Sequence, residues 1–248
     1  MLKGKNAIIT GARQGIGKAI LEEFAQNGAN VWACARKQDI EFEEKIGELS
    51  ELYHIWIKPV YFDLSDQDSI KNSMKKILQE KIPIDILVNN AGISYSGLMA
   101  MTPIAKLKEV FEINYFAQIQ IMQIVAKTMI RQKNGSIVNM VSVGGIETAP
   151  GYLAYGSSKA ALLYATKSVS HELGEHGIRL NAVAPGLTNT QMGHVKEEKE
   201  LQKVLNRSSL HRMAEPKEIA SCVTFLASDK ASFITGQVII ADGGRICS

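Results

Sequence analysis

Seven short runs of apolar, mostly β-branched residues punctuate the chain: "NAIIT", "ANVWACA", "KPVYFDL", "IDILVNNAG", "GSIVNMVS", "IRLNAVAPG" and "GQVIIADGG". They read as near-continuous apolar stretches rather than alternating ones, the pattern of strands buried on both faces. Between them lie longer helical patterns. After the first run, Ile16, Ala19, Ile20 and Phe24 share one face of a 3.6-residue period, and Asn27-Gly28 closes that helix as a C-cap would. Strand and helix alternating in this way predict an α/β fold, a doubly wound parallel sheet of about seven strands with helices on both faces.

One stretch breaks the rhythm. From Leu187 to Met213 the chain is polar and charged, including "VKEEKELQKVLNRSS". It reads either as a solvated surface helix or as a lid over a substrate cleft, because ligands in doubly wound folds bind beyond the strand C-termini. No Pro/Gly/Ser linker, repeat or low-complexity tract divides the chain, so residues 1–248 are expected to form a single catalytic domain, with 187–213 as the substrate lid.

Composition narrows the class. Over 248 residues, 46% are hydrophobic and 21% charged, and the formal net charge is +3 with basic residues scattered. This is ordinary globular composition, and it gives no electrostatic reason to expect a nucleic-acid partner. Cys34, Cys222 and Cys247 form no close pair, which fits a reduced, cytoplasmic setting. No apolar run suits a signal peptide or a membrane span.

The candidate chemistry starts at "IITGARQGIGKAI", where Gly11, Gly15 and Gly17 occupy a turn between the first strand and the first helix. Glycines there allow close backbone approach, and the helix N-terminus presents N–H groups to a pyrophosphate. The spacing is G-x-x-x-G-x-G rather than G-x-G-x-x-G. The second strand ends in "CARKQ", with Arg36 and Lys37 where a ribose-binding acid would select NAD. Arg36 is a fork for a 2′-phosphate and Arg13 a second cation, so NADP(H) is expected over NAD(H); Asp39 could instead hold a ribose hydroxyl.

The second candidate lies in "GYLAYGSSKAALLYATKS", residues 151–168. Tyr155 and Lys159 are four apart and so share a helix face, about 6 Å apart along the axis. Tyr164 and Lys167, three apart, are a weaker pair. A phenol of reference pKa about 10 is a poor acid–base group near neutrality, and a nearby cation is expected to lower it. The five histidines show no metal-ligand spacing, and no catalytic metal is expected.

Taken together, "TGARQGIG", "NNAG" (Asn89 to Gly92), Asn114, Ser142, the Tyr155-x-x-x-Lys159 pair and Pro185-Gly186 resemble the short-chain dehydrogenase/reductases, over nearly the whole chain. The resemblance implies a Rossmann-like single domain that interconverts a carbonyl and a secondary alcohol by hydride transfer. It implies a catalytic tetrad: Tyr155 as proton donor, Lys159 tuning it and binding the nicotinamide ribose, Ser142 holding the carbonyl, and Asn114 keeping a relay water beside Lys159. It also implies cofactor contacts from Ile16 in the glycine turn, Asp63 and Leu64 beside the adenine, Asn90, Ala91 and Gly92 along the adenosine ribose, and Pro185, Gly186 and Thr188 at the nicotinamide.

Within that family the pattern looks most like the 3-oxoacyl-[acyl-carrier-protein] reductases. Arg131, Lys133 and His176 fall where those enzymes contact the carrier, with a lysine and a histidine where arginines are usual. A sugar, polyol or small ketone is the alternative substrate, and a non-catalytic NADP-sensing or scaffold protein the alternative class. The apolar surfaces of the long helices beginning near Pro103 and Leu153 predict a homotetramer or homodimer.

Overall fold

The computed structural model describes residues 1–193 and 198–246. The seven apolar runs form β1 (Asn6–Thr10), β2 (Asn30–Ala35), β3 (Ile57–Tyr61), β4 (Ile86–Asn89), β5 (Gly135–Met140), β6 (Ile178–Pro185) and β7 (Val238–Ala241). They pair in the order β3-β2-β1-β4-β5-β6-β7, every pairing parallel. The helices are α1 (Gly15–Gln26), α2 (Ile40–Tyr53), α3 (Gln67–Gln79), α4 (Ile104–Phe111), α5 (Ala117–Gln132), α6 (Leu153–Gly174), α7 (Glu198–Asn206) and α8 (Pro216–Ala227).

Successive strand side chains point to opposite faces, and the core divides accordingly. Ala7, Ile9, Val31 and Ala33 enter one cluster with Ile20 and Phe24 of α1, Phe42 of α2 and Ile219 of α8. Ile8, Trp32 and Cys34 enter the other with Ile70 and Met74 of α3, Ile121 of α5 and Leu162 of α6. With helices on both faces the five inner strands are buried almost throughout, which is why their runs are continuous rather than alternating, while the edge strands β3 and β7 are only partly covered. Each large side chain fully buried in this way contributes about 1.5–3 kcal/mol. Pro59, which lacks a backbone donor, is tolerated because β3 is an edge strand.

The chain begins at β1, runs outward through β2 and β3, then crosses back to β4 on the other side of β1. The C-terminal ends of β1 and β4 therefore flank the topological switch point, where such sheets bind ligands. The glycine turn after β1 and "NNAG" after β4 meet there.

The helical run from 104 to 132 is not uniform. Glu112–Phe116 forms one π-turn between α4 and α5, with the Ala117 N–H reaching back to the Glu112 carbonyl. The extra residue per turn re-aims a side chain, a local geometry common at functional sites, and Asn114 sits within it. Of the segment expected to form a lid, residues 194–197 lie outside the described residues, as does Cys247; the part that follows carries α7. Among the described residues no helix is long and apolar enough to cross a membrane.

Candidate active site

Thr10, the last residue of β1, ties the two strand ends together. Its Oγ1 accepts the N–H groups of Asn90 at 2.9 Å and Ala91 at 3.0 Å, and Asn90 Nδ2 donates to the Thr10 carbonyl at 2.9 Å. The chain then turns through Gly11 and Gly15, both left-handed with φ of +68° and +57°. Gly17 permits the closest approach: a Cβ there would lie 2.0 Å from the Gly11 carbonyl oxygen. The helix that Gly15, Ile16 and Gly17 open has no side-chain cap at Gln14 and no acidic residue in its first turn. A backbone cradle with uncapped helix N–H groups is complementary to an anionic pyrophosphate. The residues present thus fit a dinucleotide.

The other expected cofactor positions line the same edge. Asp63 and Leu64 follow β3, and the Gly186 N–H at the end of β6 donates to the Ala241 carbonyl at 2.9 Å. Buried Thr188 donates its hydroxyl to the Gly186 carbonyl at 3.2 Å. Gly92 connects the cradle to two of the expected tetrad residues, since a Cβ there would sit 2.9 Å from Asn114 Oδ1 and 3.4 Å from Lys159 Nζ.

Both cations expected to meet a 2′-phosphate are engaged with carboxylates. Arg36 Nε pairs with Asp63 Oδ2 at 2.8 Å, and Arg13 Nη1 pairs with Asp39 Oδ2. Asp39 also caps α2, its Oδ1 accepting the Phe42 N–H at 2.9 Å. That cap bond first, and Arg13 second, hold its carboxyl below the usual carboxylate range.

Tyr155 and Lys159 lie in the first turns of α6, and Ser142 two residues beyond β5. Glycine makes their meeting possible. A Cβ on Gly156 would lie 2.6 Å from the Gly144 carbonyl, and one on Gly145 would lie 2.8 Å from the Ala160 nitrogen, so the loop after Ser142 packs backbone to backbone against α6. The Tyr155 phenol faces Ser142, whose Oγ accepts the Gly144 N–H at 3.1 Å. The Tyr152 ring stands edge-on to Tyr155, centroids 6.4 Å apart. Tyr164 is on the outer face of α6, 75% exposed and away from this cluster.

Lys159 is buried, and its Nζ donates to the Met140 carbonyl at 2.8 Å. Burial disfavours the charged amine and brings its pKa down to about 8. Here the structure differs from expectation. The Tyr155 phenol is raised rather than lowered, by burial first; the Ser142 hydroxyl opposes the rise and Tyr152 adds to it. The lysine is turned to Met140, and desolvation weakens its own hold on charge.

Asn114 is wholly buried, and its amide has specific work. Oδ1 accepts the Ile93 N–H at 2.8 Å, while Nδ2 donates to the Ile93 carbonyl at 2.9 Å and to Ser158 Oγ at 3.1 Å. Ser158 in turn donates to the Tyr155 carbonyl at 2.7 Å. The amide therefore braces the segment after "NNAG" against α6, beside the lysine.

Thr10, Ser158 and the Met140 carbonyl escaped the sequence reading. Glu147, five residues beyond Ser142, did too: its Oε2 takes Arg245 Nε at 2.8 Å and its Oε1 takes Arg207 from just past α7. No spacing signals these, because each depends on a partner far away in the chain.

A glycine cradle beside a Ser-Tyr-Lys cluster at the switch point is the arrangement expected of a nicotinamide-dependent oxidoreductase. A family model described as enoyl-(acyl carrier protein) reductase matches residues 11–245. The 3-oxoacyl-[acyl-carrier-protein] reductase FabG of Thermotoga maritima is 40% identical over 99% of both chains. A 3alpha-hydroxysteroid dehydrogenase of Mediterraneibacter gnavus is 37% identical over 98% of this chain and 97% of its own. A solved short chain dehydrogenase/reductase family protein, 33% identical, covers 98% of this chain and 97% of its own at a TM-score of 0.84. A solved structure from Agrobacterium tumefaciens, 26% identical over 100% of this chain and 98% of its own, reaches 0.94. The chain belongs to the short-chain dehydrogenase/reductase family and is a FabG-like, NAD(P)-dependent oxidoreductase.

Proposed function

We propose that the protein is an NADPH-dependent reductase of 3-oxoacyl thioesters presented by acyl carrier protein. The carrying observation is Ser142 set against the Tyr155 phenol with Lys159 one turn along α6, in a chain 40% identical to a 3-oxoacyl-[acyl-carrier-protein] reductase.

When bound, the reduced nicotinamide supplies the hydride. The chain's own residues do the rest. Ser142 would donate to the carbonyl oxygen and hold it beside the phenol. Tyr155, kept protonated by burial, is in the form a general acid needs, and it would give its proton to the oxygen as negative charge develops there. The phenolate left behind requires a cation, and Lys159, one turn along α6, is the candidate; the same amine would bind the nicotinamide ribose. Asn114 would keep the relay beside it in place. Gly11, Gly15, Ile16 and Gly17 would hold the pyrophosphate, Asp63 and Leu64 the adenine, Asn90, Ala91 and Gly92 the adenosine ribose, and Pro185, Gly186 and Thr188 the nicotinamide. Arg36 and Arg13 favour NADPH over NADH.

The carrier would meet exposed Arg131 and Lys133 at the end of α5 and His176 beyond α6, and the segment 187–213 would cover the cleft. Exposed Phe116 and Tyr164 on the long helices support a homotetramer or homodimer, in a cytoplasmic enzyme of one domain. A specific observation favours a second reading, reduction of a free apolar ketone: Leu98, Met99 and Met101 stand exposed together between β4 and α4, an adaptable apolar rim that needs no carrier.

The test is NADPH oxidation against carrier-bound and free 3-oxoacyl thioesters, apolar ketones and ketoses. A preference for the carrier-bound thioester supports the first reading. Preference for a free ketone supports the second, and cofactor binding without turnover on any of them would leave a sensor.

A further inference from the structure

The ion pairs at the far end of the cradle suggest how coenzyme choice is set. We propose that Asp39 is a coenzyme-specificity residue that competes with the 2′-phosphate for Arg13, so that NADPH binding requires an exchange of ion-pair partners and the margin over NADH is narrowed. This rests on the NADPH reading above.

Arg13 and Asp39 are 26 residues apart, one in the glycine turn and one in the link between β2 and α2, and they meet because β1 and β2 end side by side. The carboxylate divides its oxygens between two tasks. Oδ1 accepts the Phe42 N–H and starts α2, and Oδ2 takes the guanidinium. Held from the helix side in this way, Asp39 is a fixed anion and Arg13 the movable partner. Arg36 is engaged by Asp63 through Nε.

A 2′-phosphate placed among these groups gains Arg13 only as Asp39 loses it. The unphosphorylated dinucleotide has no such demand and can bind with the pair intact. Both partners are solvent-accessible, with 48% of the Arg13 side chain exposed, so the competition is modest: an exposed pair is worth a factor of about five or less.

Asp39→Asn tests this cleanly, because asparagine keeps the N-cap while removing the charge. Dissociation constants for NADPH and NADH would be measured by nucleotide fluorescence titration on wild type, Asp39→Asn, Arg13→Ala and the double variant. Asp39→Asn is expected to tighten NADPH about two- to fivefold, to leave NADH unchanged, and to have no effect on NADPH once Arg13 is absent. Weaker NADH binding in Asp39→Asn would overturn the proposal by showing that Asp39 holds a ribose hydroxyl. Equal tightening of NADPH without Arg13 would also overturn it, because the carboxylate would then act only through its own charge. The underlying reading fails separately, if Arg13→Ala and Arg36→Ala both leave NADPH affinity intact.

Discussion

The Lys159 ammonium donates to the Met140 carbonyl at 2.8 Å from within a fully desolvated site. Its folded pKa of about 8 lies below the ordinary lysine value, so the folded state releases this proton at lower pH than the unfolded chain does. Stability therefore carries a penalty below pH 8, which is relieved as pH rises from about 8 toward about 10.4, at about 1.4 kcal/mol per pH unit at most. Lys159→Met removes the term. Chemical denaturation between pH 7 and 10 is expected to show wild type gaining stability relative to Lys159→Met as pH rises; parallel curves would refute the buried-amine account. Above pH 10 the raised Tyr155 phenol works in the opposite direction, so the window closes there.

The same amine is expected to shape the rate. If Lys159 must be charged to stabilise the Tyr155 phenolate, kcat/KM for carbonyl reduction should fall as pH rises through about 8, the value at which the amine loses its proton. A profile flat to pH 9.5 would detach the lysine from the proton transfer.

Tyr155→Phe keeps the ring and its edge-on contact with Tyr152 while deleting the proton. Loss of a general acid lowers turnover by about a hundredfold or more, and nucleotide affinity should change little. Ser142→Ala deletes the partner hydroxyl and should cost about 10²- to 10³-fold in kcat, as removal of a donor to a developing oxyanion does. Single-turnover NADPH oxidation, with nucleotide titration beside it, reads both. Full activity in Tyr155→Phe would end the proposed chemistry.

The architecture could be read from the chain because burial on both faces leaves strands as bare apolar runs, and because Ile16, Ala19, Ile20 and Phe24 mark one helix face without ambiguity. The cradle glycines and the Tyr155–Lys159 spacing are local, and local patterns survive in sequence. What did not survive is set by tertiary neighbours. The π-turn at Glu112–Phe116 coincides with Asn114 clamping Ile93 and Ser158, contacts 21 and 44 residues away. The direction of the Tyr155 shift depends on how deeply α6 is covered, and the pairing of Arg13 with Asp39 on which strand ends lie side by side. None of these leaves a periodic trace.

Gly17 and Gly47 make opposite predictions from one substitution. A Cβ on Gly17 would sit 2.0 Å from the Gly11 carbonyl, so Gly17→Ala must push the cradle open. A cost of about 1–3 kcal/mol and a large loss of nucleotide affinity are expected. A Cβ on Gly47, within α2, would meet nothing within 4 Å. Gly47→Ala should raise stability by about 0.5–1 kcal/mol and leave binding alone. Thermal melts with and without NADPH separate the two, and equal effects would mean that the close approach at Gly17 is not what shapes the cradle.

Glu147 joins three segments that the sheet brings to one end of the molecule: the loop after Ser142, the residue just past α7, and the C-terminal stretch. Its two arginines differ in environment. The Arg245 side chain is 8% exposed and that of Arg207 56%. The C-terminal stretch is also stitched to the chain beyond α7, Ser208 Oγ donating to the Gly243 carbonyl at 2.8 Å and the Leu210 N–H donating to the same oxygen at 3.0 Å. Glu147→Gln strands the nearly buried Arg245 guanidinium without its anion. Because Glu147 itself keeps some contact with water, the loss is set at about 2 kcal/mol, below the 3–5 of a fully buried broken pair. For a chain of this size that is a fall in Tm of about 4–8 °C. Arg207→Ala breaks an exposed pair and should cost less than about 1 kcal/mol. Arg245→Met removes the charge together with its need for a partner and should fall between them. Differential scanning calorimetry ranks the three; an Arg207→Ala loss as large as that of Glu147→Gln would show that burial does not govern the network, and that the anchoring of α7 does.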